Sequence, residues 1–259
     1  MLVFKKTFII LTIIFLSIPT LLCSEYYILE IFYGSSNKKE YIYHVHRLTD
    51  SMEIDANWQK AQLGKIKSVK LENYIGCLPD HFPKTEVKLC YDDEYIYVIF
   101  RVEDQYVRAV ATETHGKVWE DSCVEFFFIP GTDVNQGYFN LEMNCKGTFL
   151  FQYHNQKIKN QGFIDLTNCR RIETAFSLKK NVREEVQDPV TWTLEYRMPF
   201  NILEKYMEVD KPAPGTRWRA NFYKWADKTS HPYWLTWAPV DYPEPKFHLP
   251  GFFGLIEFK

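Results

Sequence analysis

The sequence lacks any large excess of one charge, since 31 Lys and Arg residues stand against 33 Asp and Glu in 259 residues, a formal net charge of -2. Binding to nucleic acid or anionic lipid needs clustered Lys and Arg, so we predict no nucleic-acid partner. Glycine is scarce, with 11 residues, and no internal repeat or low-complexity tract is present. These absences exclude collagen-like, repeat and disordered proteins.

Cysteine motifs for metal or haem attachment are also absent. The chain has six cysteines, but no CxxC pair and no mixed Cys and His spacing typical of zinc sites. Cys90 and Cys123 lie in apolar runs, where a thiol packs as a small hydrophobic group. We therefore predict mostly free, buried thiols and leave one disulfide open.

Long apolar runs are missing except near the start of the chain. Lys5 and Lys6 precede an apolar stretch over residues 8–22, and its roughly 15 residues suit a signal peptide but are too few for a spanning helix. We predict a signal peptide over residues 1–23. The protein is therefore expected to be secreted, periplasmic or at the cell surface.

Two further expectations concern the residues around the cleavage site. Cys23 ends the apolar stretch, where a lipid-modified cysteine would lie, so a lipid anchor at Cys23 is an alternative to ordinary cleavage. Residues 24–40 include a Gly, Ser, Asn and Lys segment typical of a leader. We expect one domain over residues 41–259.

Alternation of apolar and polar residues with a period of two dominates that domain. It predicts strands, each with one buried face, over residues 41–47, 85–91, 96–103, 122–129, 138–144, 148–153, 172–178, 192–198, 217–224, 233–237 and 253–258. About ten short strands indicate an all-β sandwich or barrel. Helical signal is limited to residues 199–206, which predict one short helix of two turns.

The same alternation predicts a polar outer face shared by several strands. In two of them it places Glu125 and Asn221 on the face opposite the core. Sugars are recognised by such faces, because hydroxyls pair with Asn, Glu and Arg while the C–H side of a pyranose stacks on Trp or Tyr. The pattern is equally typical of the solvated side of an antiparallel sandwich.

Four ordered segments carry a resemblance to a known family: Ile54-Asp55-Ala56-Asn57-Trp58, then the run from Val87 through Val98 containing Tyr91-Asp92-Asp93-Glu94, then Trp119-Glu120-Asp121-Ser122-Cys123-Val124-Glu125, then Gly215-Thr216-Arg217-Trp218-Arg219-Ala220-Asn221-Phe222. The chain resembles the family 9 carbohydrate-binding module from about residue 41 to its end. The resemblance implies an antiparallel β-sandwich of the DOMON-like, jelly-roll type. It also implies a bound mono-, oligo- or polysaccharide and a partner glycosidase in polysaccharide catabolism.

The resemblance implies that a sugar is held between two aromatic rings. Trp119 matches the first of these rings. Tyr223, Trp225, Trp234 and Trp237 compete for the second, and we favour Trp225 and Trp237. Polar contacts are expected from Glu125, Asn144 and Asn221, whereas Trp58, Trp192 and Trp218 lie at apolar positions and are expected in the core.

A structural calcium ion is a further implication of the resemblance. Candidate ligands are aspartates in predicted loops, Asp92, Asp93, Asp104 and Asp133. Asp-rich hairpin turns also form without metal, so this pattern by itself is open.

Two alternatives to a non-catalytic binding protein remain. A glycoside hydrolase acting on O-glycosyl bonds needs two carboxylates, for which the candidates are Glu125, Glu142 and Glu195. A haem-binding DOMON-like electron-transfer domain would pair Met143 or Met198 with a histidine such as His44, His46, His231 or His248.

Overall fold

The computed structural model describes residues 40–155 and 162–259 of the chain. The predicted signal peptide, Cys23 and the predicted leader up to residue 39 lie outside the described residues. Within the described ranges, no helix has the length and apolar character that crossing a membrane requires.

Fourteen strands form the framework of the described structure. They are β1 (Ile42–Arg47), β2 (Val69–Lys70), β3 (Asn73–Tyr74), β4 (Lys84–Tyr91), β5 (Tyr95–Asp104), β6 (Cys123–Ile129), β7 (Tyr138–Asn144), β8 (Phe149–His154), β9 (Gly162–Phe163), β10 (Glu173–Phe176), β11 (Val190–Pro199), β12 (Arg217–Trp225), β13 (Trp234–Thr236) and β14 (Gly254–Phe258).

Helical structure in the described ranges is confined to short turns. There is one α-helical turn at Leu166–Cys169, and the 3₁₀ turns are Ala61–Leu63, Val118–Glu120, Val134–Gln136, Phe200–Lys205 and Pro250–Phe252. The predicted helix over residues 199–206 is confirmed as the 3₁₀ turn Phe200–Lys205, with Pro199 just before it.

The strands form two sheets joined through β1. The front sheet has the order β14-β12-β6-β7-β8-β9, with β13 also on β12 and β3 on β13; the back sheet has the order β10-β11-β5-β4, with β2 on β4. Residues 42–45 of β1 pair with β14, and residues 46 and 47 pair with β4, so this strand crosses from one sheet to the other. The structure is the predicted sandwich.

The main hydrophobic core lies between the two sheets. Phe126 of β6 stacks on Phe222 of β12 with ring centroids 5.1 Å apart, and Phe222 meets Phe100 of the back sheet at 6.2 Å. Trp192 and Trp218 are fully buried in this core, as predicted from their apolar positions. Apolar alternation in both sheets thus directs one face of each inward.

One ion pair crosses the core between the sheets. Lys224 of β12 lies 3.2 Å from Asp104 of β5, and neither side chain is exposed to solvent. Lys224 Nζ also donates to the Tyr233 hydroxyl, which in turn donates to Asp104 at 3.2 Å, and His81 contacts Asp104 at 2.9 Å. These partners compensate the two charges, because an unpaired buried charge would be strongly destabilising.

The outer face of the back sheet is covered by residues 48–66. Met52, Ile54, Leu63 and Ile66 pack there against apolar residues of β4 and β5. Trp58 is half-buried on this side, with the Lys88 ammonium 4.6 Å from its ring, and so lies outside the main core.

Strand prediction from alternation is accurate with two corrections. Each predicted run contains a strand, and the three missed strands, β2, β3 and β9, have two residues each. Strand pairing is antiparallel as predicted except at β1, which runs parallel to both β14 and β4. Cys90, Cys123, Cys145 and Cys169 are free and buried, in agreement with the predicted thiols.

Glu195 anchors the covering segment to the back sheet, which yields a stability prediction. Its carboxylate accepts the backbone N–H groups of Asp55 at 3.0 Å and Ala56 at 2.7 Å, and Lys60 lies 2.8 Å away. Glu195→Ala removes one of the two carboxylates that pair with the buried Lys60 ammonium, which keeps Asp55 at 2.6 Å, and leaves two backbone N–H groups without this acceptor. We therefore expect a loss of about 2–4 kcal/mol of unfolding free energy.

Urea denaturation measures this loss, with Glu184→Ala at an exposed position as the control. A Glu195→Ala protein within about 1 kcal/mol of the wild type would contradict the anchoring role.

Candidate functional site

The outer face of the front sheet carries the polar residues that alternate with core residues. On this face Glu125 of β6 lies directly opposite Glu142 of β7 on one side and Tyr223 of β12 on the other. Cys123 lies between Trp225 and Asn144 in the adjacent row. The predicted parity is therefore correct.

This face is not open to solvent along its whole length, contrary to the expectation of an exposed polar face. A second hydrophobic cluster covers part of it and is formed by Ile75, Phe127, Ile129, Tyr138, Tyr223, Val240, Phe247 and Phe253. Phe247 stacks on Tyr223 at a centroid distance of 4.0 Å and meets Trp225 edge-on at 4.3 Å. Tyr223 is fully buried under Phe247, which corrects its assignment as a ligand ring.

Trp119 and Trp225 lie together beside the covered region. Both are partly buried and pack against a cluster of Val118, Cys123 and Leu150. The backbone N–H of Asp227, just after β12, donates to the Trp119 carbonyl at 3.2 Å and ties the two segments together. The structure thus brings together the predicted first ring and one of the two favoured second rings.

Trp234 adds a third indole to this group. It lies opposite Trp225 in the β12–β13 pairing, with ring centroids 6.4 Å apart and planes at 85°. Trp234 was one of the four candidates for the second ring, and its pairing with Trp225 places it on the outer face of the front sheet.

The two glutamates at the centre of the face are buried, with 1% of Glu125 and 5% of Glu142 exposed. Burial first, and then the charge of Glu142, raise the pKa of Glu125 well above its ordinary value, and Lys224 offsets only part of this. Burial also raises the pKa of Glu142 to about 7, although Asn140 Nδ2 donates to its Oε1 at 2.7 Å. The site therefore holds carboxyl groups that resist ionisation.

Several buried polar atoms on this face lack a hydrogen-bond partner among the described residues. They are both carboxylate oxygens of Glu125, Asn140 Oδ1, His154 Nε2, and the indole nitrogens of Trp225 and Trp234. Elsewhere in the described structure, the buried side-chain polar atoms without a partner are Trp192 Nε1 and Tyr196 OH, both in the main core. Unpaired buried donors and acceptors are costly, and their concentration on one face indicates a site for a polar ligand.

The Asn144 side chain fixes the loop that carries Trp119 by hydrogen bonds. Its Nδ2 donates to the Ala111 carbonyl at 3.1 Å and to Asp121 at 3.0 Å, and its Oδ1 accepts the N–H groups of Lys146 and Thr148 at 3.1 Å each. Both ends of its amide are occupied by protein, which corrects its assignment as a direct ligand contact.

Asn221 has a similar structural use. Its Nδ2 donates to the Ala238 carbonyl at 3.0 Å, and its Oδ1 accepts the Ala238 N–H at 2.9 Å. The side chain therefore holds the segment after β13 against β12, and it does not point at an open surface as expected.

Trp237 belongs to the main core, which corrects its assignment as a clamp ring. It is 5% exposed, and its ring lies 5.5 Å from Phe222 and 6.0 Å from Tyr41. Its side chain thus lies on the opposite side of the front sheet from Glu125.

The structure separates the carboxylates proposed for hydrolysis. Glu125 and Glu142 are neighbours on the front sheet, whereas Glu195 lies on the back sheet and is held by Lys60. Glu142 was predicted only in this catalytic role. Its position beside Glu125 follows from a strand register that the sequence does not display.

The haem candidates are likewise separated. Met143 and Met198 are fully buried in the main core, while His44 and His46 are exposed on β1. His231 stacks on Tyr106 at 3.8 Å. The predicted Met and His axial pair is not assembled by these residues.

The four aspartates do not fit a shared calcium site. Asp92 closes a hairpin turn, Asp93 pairs with Arg47, Asp104 pairs with Lys224, and Asp133 caps the 3₁₀ turn that follows it. Within the described ranges, no group of three or more His, Cys, Asp or Glu side chains is arranged to hold a metal ion. Calcium binding stays a prediction of the family resemblance, without these ligands.

Comparison with known proteins agrees with the sandwich fold. The sequence model of carbohydrate-binding family 9 matches residues 50–258. A structure from Bacteroides uniformis ATCC 8492, provisionally described as a carbohydrate-binding protein, is similar with 27% identity and a TM-score of 0.74 over 85% of this chain and 100% of that one.

Two family 9 carbohydrate-binding module structures from Caldicellulosiruptor kristjanssonii share the fold. The complex with cellotriose has 15% identity and a TM-score of 0.57 over 85% of this chain and 94% of that one, and the glucose complex has 16% and 0.56 over 83% and 95%. An extracellular protein of Arthroderma benhamiae (strain ATCC MYA-4681 / CBS 112371) is 23% identical over 195 residues, 72% of this chain and 84% of that protein.

The hydrogen bonds of Asn221 generate a prediction. Asn221→Ala leaves the Ala238 N–H unpaired in a buried position, while the Ala238 carbonyl keeps the Thr236 hydroxyl as a donor at 2.8 Å, so we expect a loss of about 1–3 kcal/mol of stability. Amide hydrogen exchange at Ala238 should accelerate, while Asn181→Ala at an exposed position should leave it unchanged. A variant that loses sugar affinity at unchanged stability and exchange would instead place Asn221 among the ligand contacts.

Proposed function

The chain belongs to carbohydrate-binding family 9, and we propose that it is a non-catalytic binding protein that holds a sugar on the outer face of its front sheet. The observation that carries this proposal is the set of unpaired buried polar atoms beside Trp119, Trp225 and Trp234. Aromatic surface and unpaired polar atoms occur there together.

A sugar meets both requirements of this face. Glu125 and Asn140 offer unpaired oxygens that need donors, whereas the indole nitrogens of Trp225 and Trp234 need acceptors. A sugar hydroxyl both donates and accepts. The C–H face of a pyranose packs on aromatic rings and removes apolar surface from water.

Trp119 and Trp225 are the rings we assign to the clamp. They pack against the same small cluster and are tied together through the backbone of Asp227. Trp234 extends the aromatic surface beyond Trp225. The similar modules from C. kristjanssonii in complex with cellotriose and glucose support glucose-based ligands as the first probes.

The proposed location is outside the cytoplasm. The predicted signal peptide, with ordinary cleavage or a lipid anchor at Cys23, supports export, as does the similarity to an extracellular protein. In that setting the protein would serve polysaccharide catabolism by holding a glycan for a partner glycosidase.

Glycoside hydrolysis is the second candidate, because Glu125 and Glu142 form a carboxyl pair. A hydrolase places its two carboxyl groups on either side of the scissile bond. Here both project from neighbouring strands of one sheet face, so they contact the same side of a ligand lying on that face. Release of reducing sugar from oligosaccharides that depends on Glu125 would overturn the binding assignment.

The clamp generates a binding prediction. Loss of one stacked ring removes on the order of 1–2 kcal/mol of binding free energy, so Trp119→Ala and Trp225→Ala should each weaken affinity roughly 5- to 30-fold. Isothermal calorimetry with glucose and cellotriose measures the effect.

Trp58→Ala is the matched control, since Trp58 is also half-buried but lies in the segment that covers the back sheet. Its affinity should equal that of the wild type. Clamp variants that bind as tightly as the wild type would exclude the proposed rings, and melting curves on each variant separate lost binding from lost folding.

A further inference from the structure

Resting on the proposed function, we infer that Glu125 and Glu142 share one proton, and that this singly protonated pair is the form that binds sugar. The site would then select uncharged sugars over acidic sugars such as uronic acids. Sugar affinity would fall as the shared proton is lost at higher pH.

The strand register places the two carboxyl groups next to each other. Glu125 and Glu142 are directly opposite in the β6–β7 pairing, where Cβ atoms lie about 4.5–5.5 Å apart. Both side chains are buried, so water screens their repulsion only weakly. Two carboxylates in such a position cannot both ionise easily, and one keeps its proton to a higher pH.

Among the described residues, positive charge relieves this repulsion only in part. Lys224 is the nearest positive charge that acts on Glu125, but it projects into the core and is paired with Asp104. Asp121, another negative charge nearby, accepts the backbone N–H groups of Val110 and Ala111.

Burial favours the neutral forms of the thiol, phenol and imidazole groups around the pair. Burial raises the pKa of the Cys123 thiol and of the Tyr138 and Tyr223 hydroxyls above their ordinary values. Burial lowers the pKa of His154. The pKa of His248 is lowered by burial of its ring and by the neighbouring His154, although the residue as a whole is exposed to solvent. Above about pH 7 the carboxyl pair is therefore the group on this face whose ionisation changes.

A singly protonated pair matches the hydrogen bonding of a sugar. The protonated carboxyl donates to one hydroxyl oxygen, and the ionised one accepts from another hydroxyl. Loss of the last proton removes the donor and adds a second buried negative charge. A ligand carboxylate would add negative charge at the same place, so a uronic acid should be rejected.

Calorimetry on the full chain tests the inference with glucose and cellotriose from pH 6 to pH 10. Wild-type affinity should fall about tenfold for each pH unit above the pKa at which the pair loses its last proton, because the protonated fraction falls by that factor. Buffers of different ionisation enthalpy should show uptake of about one proton on binding at the high-pH end, where the free pair has lost that proton. Glucuronic acid at pH 6 should bind at least about tenfold more weakly than glucose.

Glu142→Gln is the decisive variant, because its amide carries donor hydrogens at every pH. It should remove both the pH dependence and the proton uptake, whatever its affinity at pH 6. Glu184→Gln, at an exposed position, should retain the wild-type pH profile. A wild-type affinity that is constant with pH, or a Glu142→Gln profile as steep as that of the wild type, would overturn the inference.

The ligand-free protein offers an independent measurement. A glutamate with a raised pKa in the folded state contributes stability below its unfolded pKa, and this stability is lost as pH rises through the folded pKa. The melting temperature of the wild type should therefore fall from pH 5 to pH 9 more than that of Glu142→Gln. Equal pH profiles would count against a shared proton.

The two proposals fail in different ways. Sugar binding with no pH dependence overturns the shared proton and leaves the proposed function in place. Absence of binding to every sugar by folded protein overturns the proposed function and this inference with it.

Discussion

Burial of the front sheet on both faces is the constraint on which the rest of the structure depends. The inner face packs against the back sheet. Part of the outer face is covered by Ile75 and by apolar residues of the segment between β13 and β14. Polar side chains on that outer face are therefore withdrawn from water and need partners. Those without protein partners, Glu125 above all, define where a ligand would be most strongly stabilised.

The polar residues of this face divide into two groups by their hydrogen bonds. Asn144 and Asn221 have both ends of their amides occupied by backbone or side-chain partners, and they hold the Trp119 loop and the segment at Ala238. Glu125 and the indole nitrogens of Trp225 and Trp234 are unpaired. The first group positions the site, and the second is available to a sugar.

The charges on the two sides of β12 and β6 are kept apart by the sheet itself. On the core side Lys224 is neutralised by Asp104, and on the outer side Glu125 faces Glu142. Alternation along a strand sends neighbouring residues to opposite faces, so the lysine cannot pair directly with the glutamates. This separation leaves the carboxyl pair to reduce its repulsion by retaining a proton, and it makes the chemistry of the site depend on strand geometry.

Alternation by itself determined the strands, because burial of one face with a period of two is a local property that runs such as β5 and β11 display directly. It also placed Glu125 and Asn221 on the outer face and Trp192 and Trp218 in the core. Only the tertiary structure decided that Asn221 is bound to Ala238, that Trp237 lies in the core and that Glu142 lies beside Glu125. Strand register, the parallel pairing of β1 and the covering of the outer face depend on contacts between residues distant along the chain. The local sequence pattern does not specify which distant residues form those contacts.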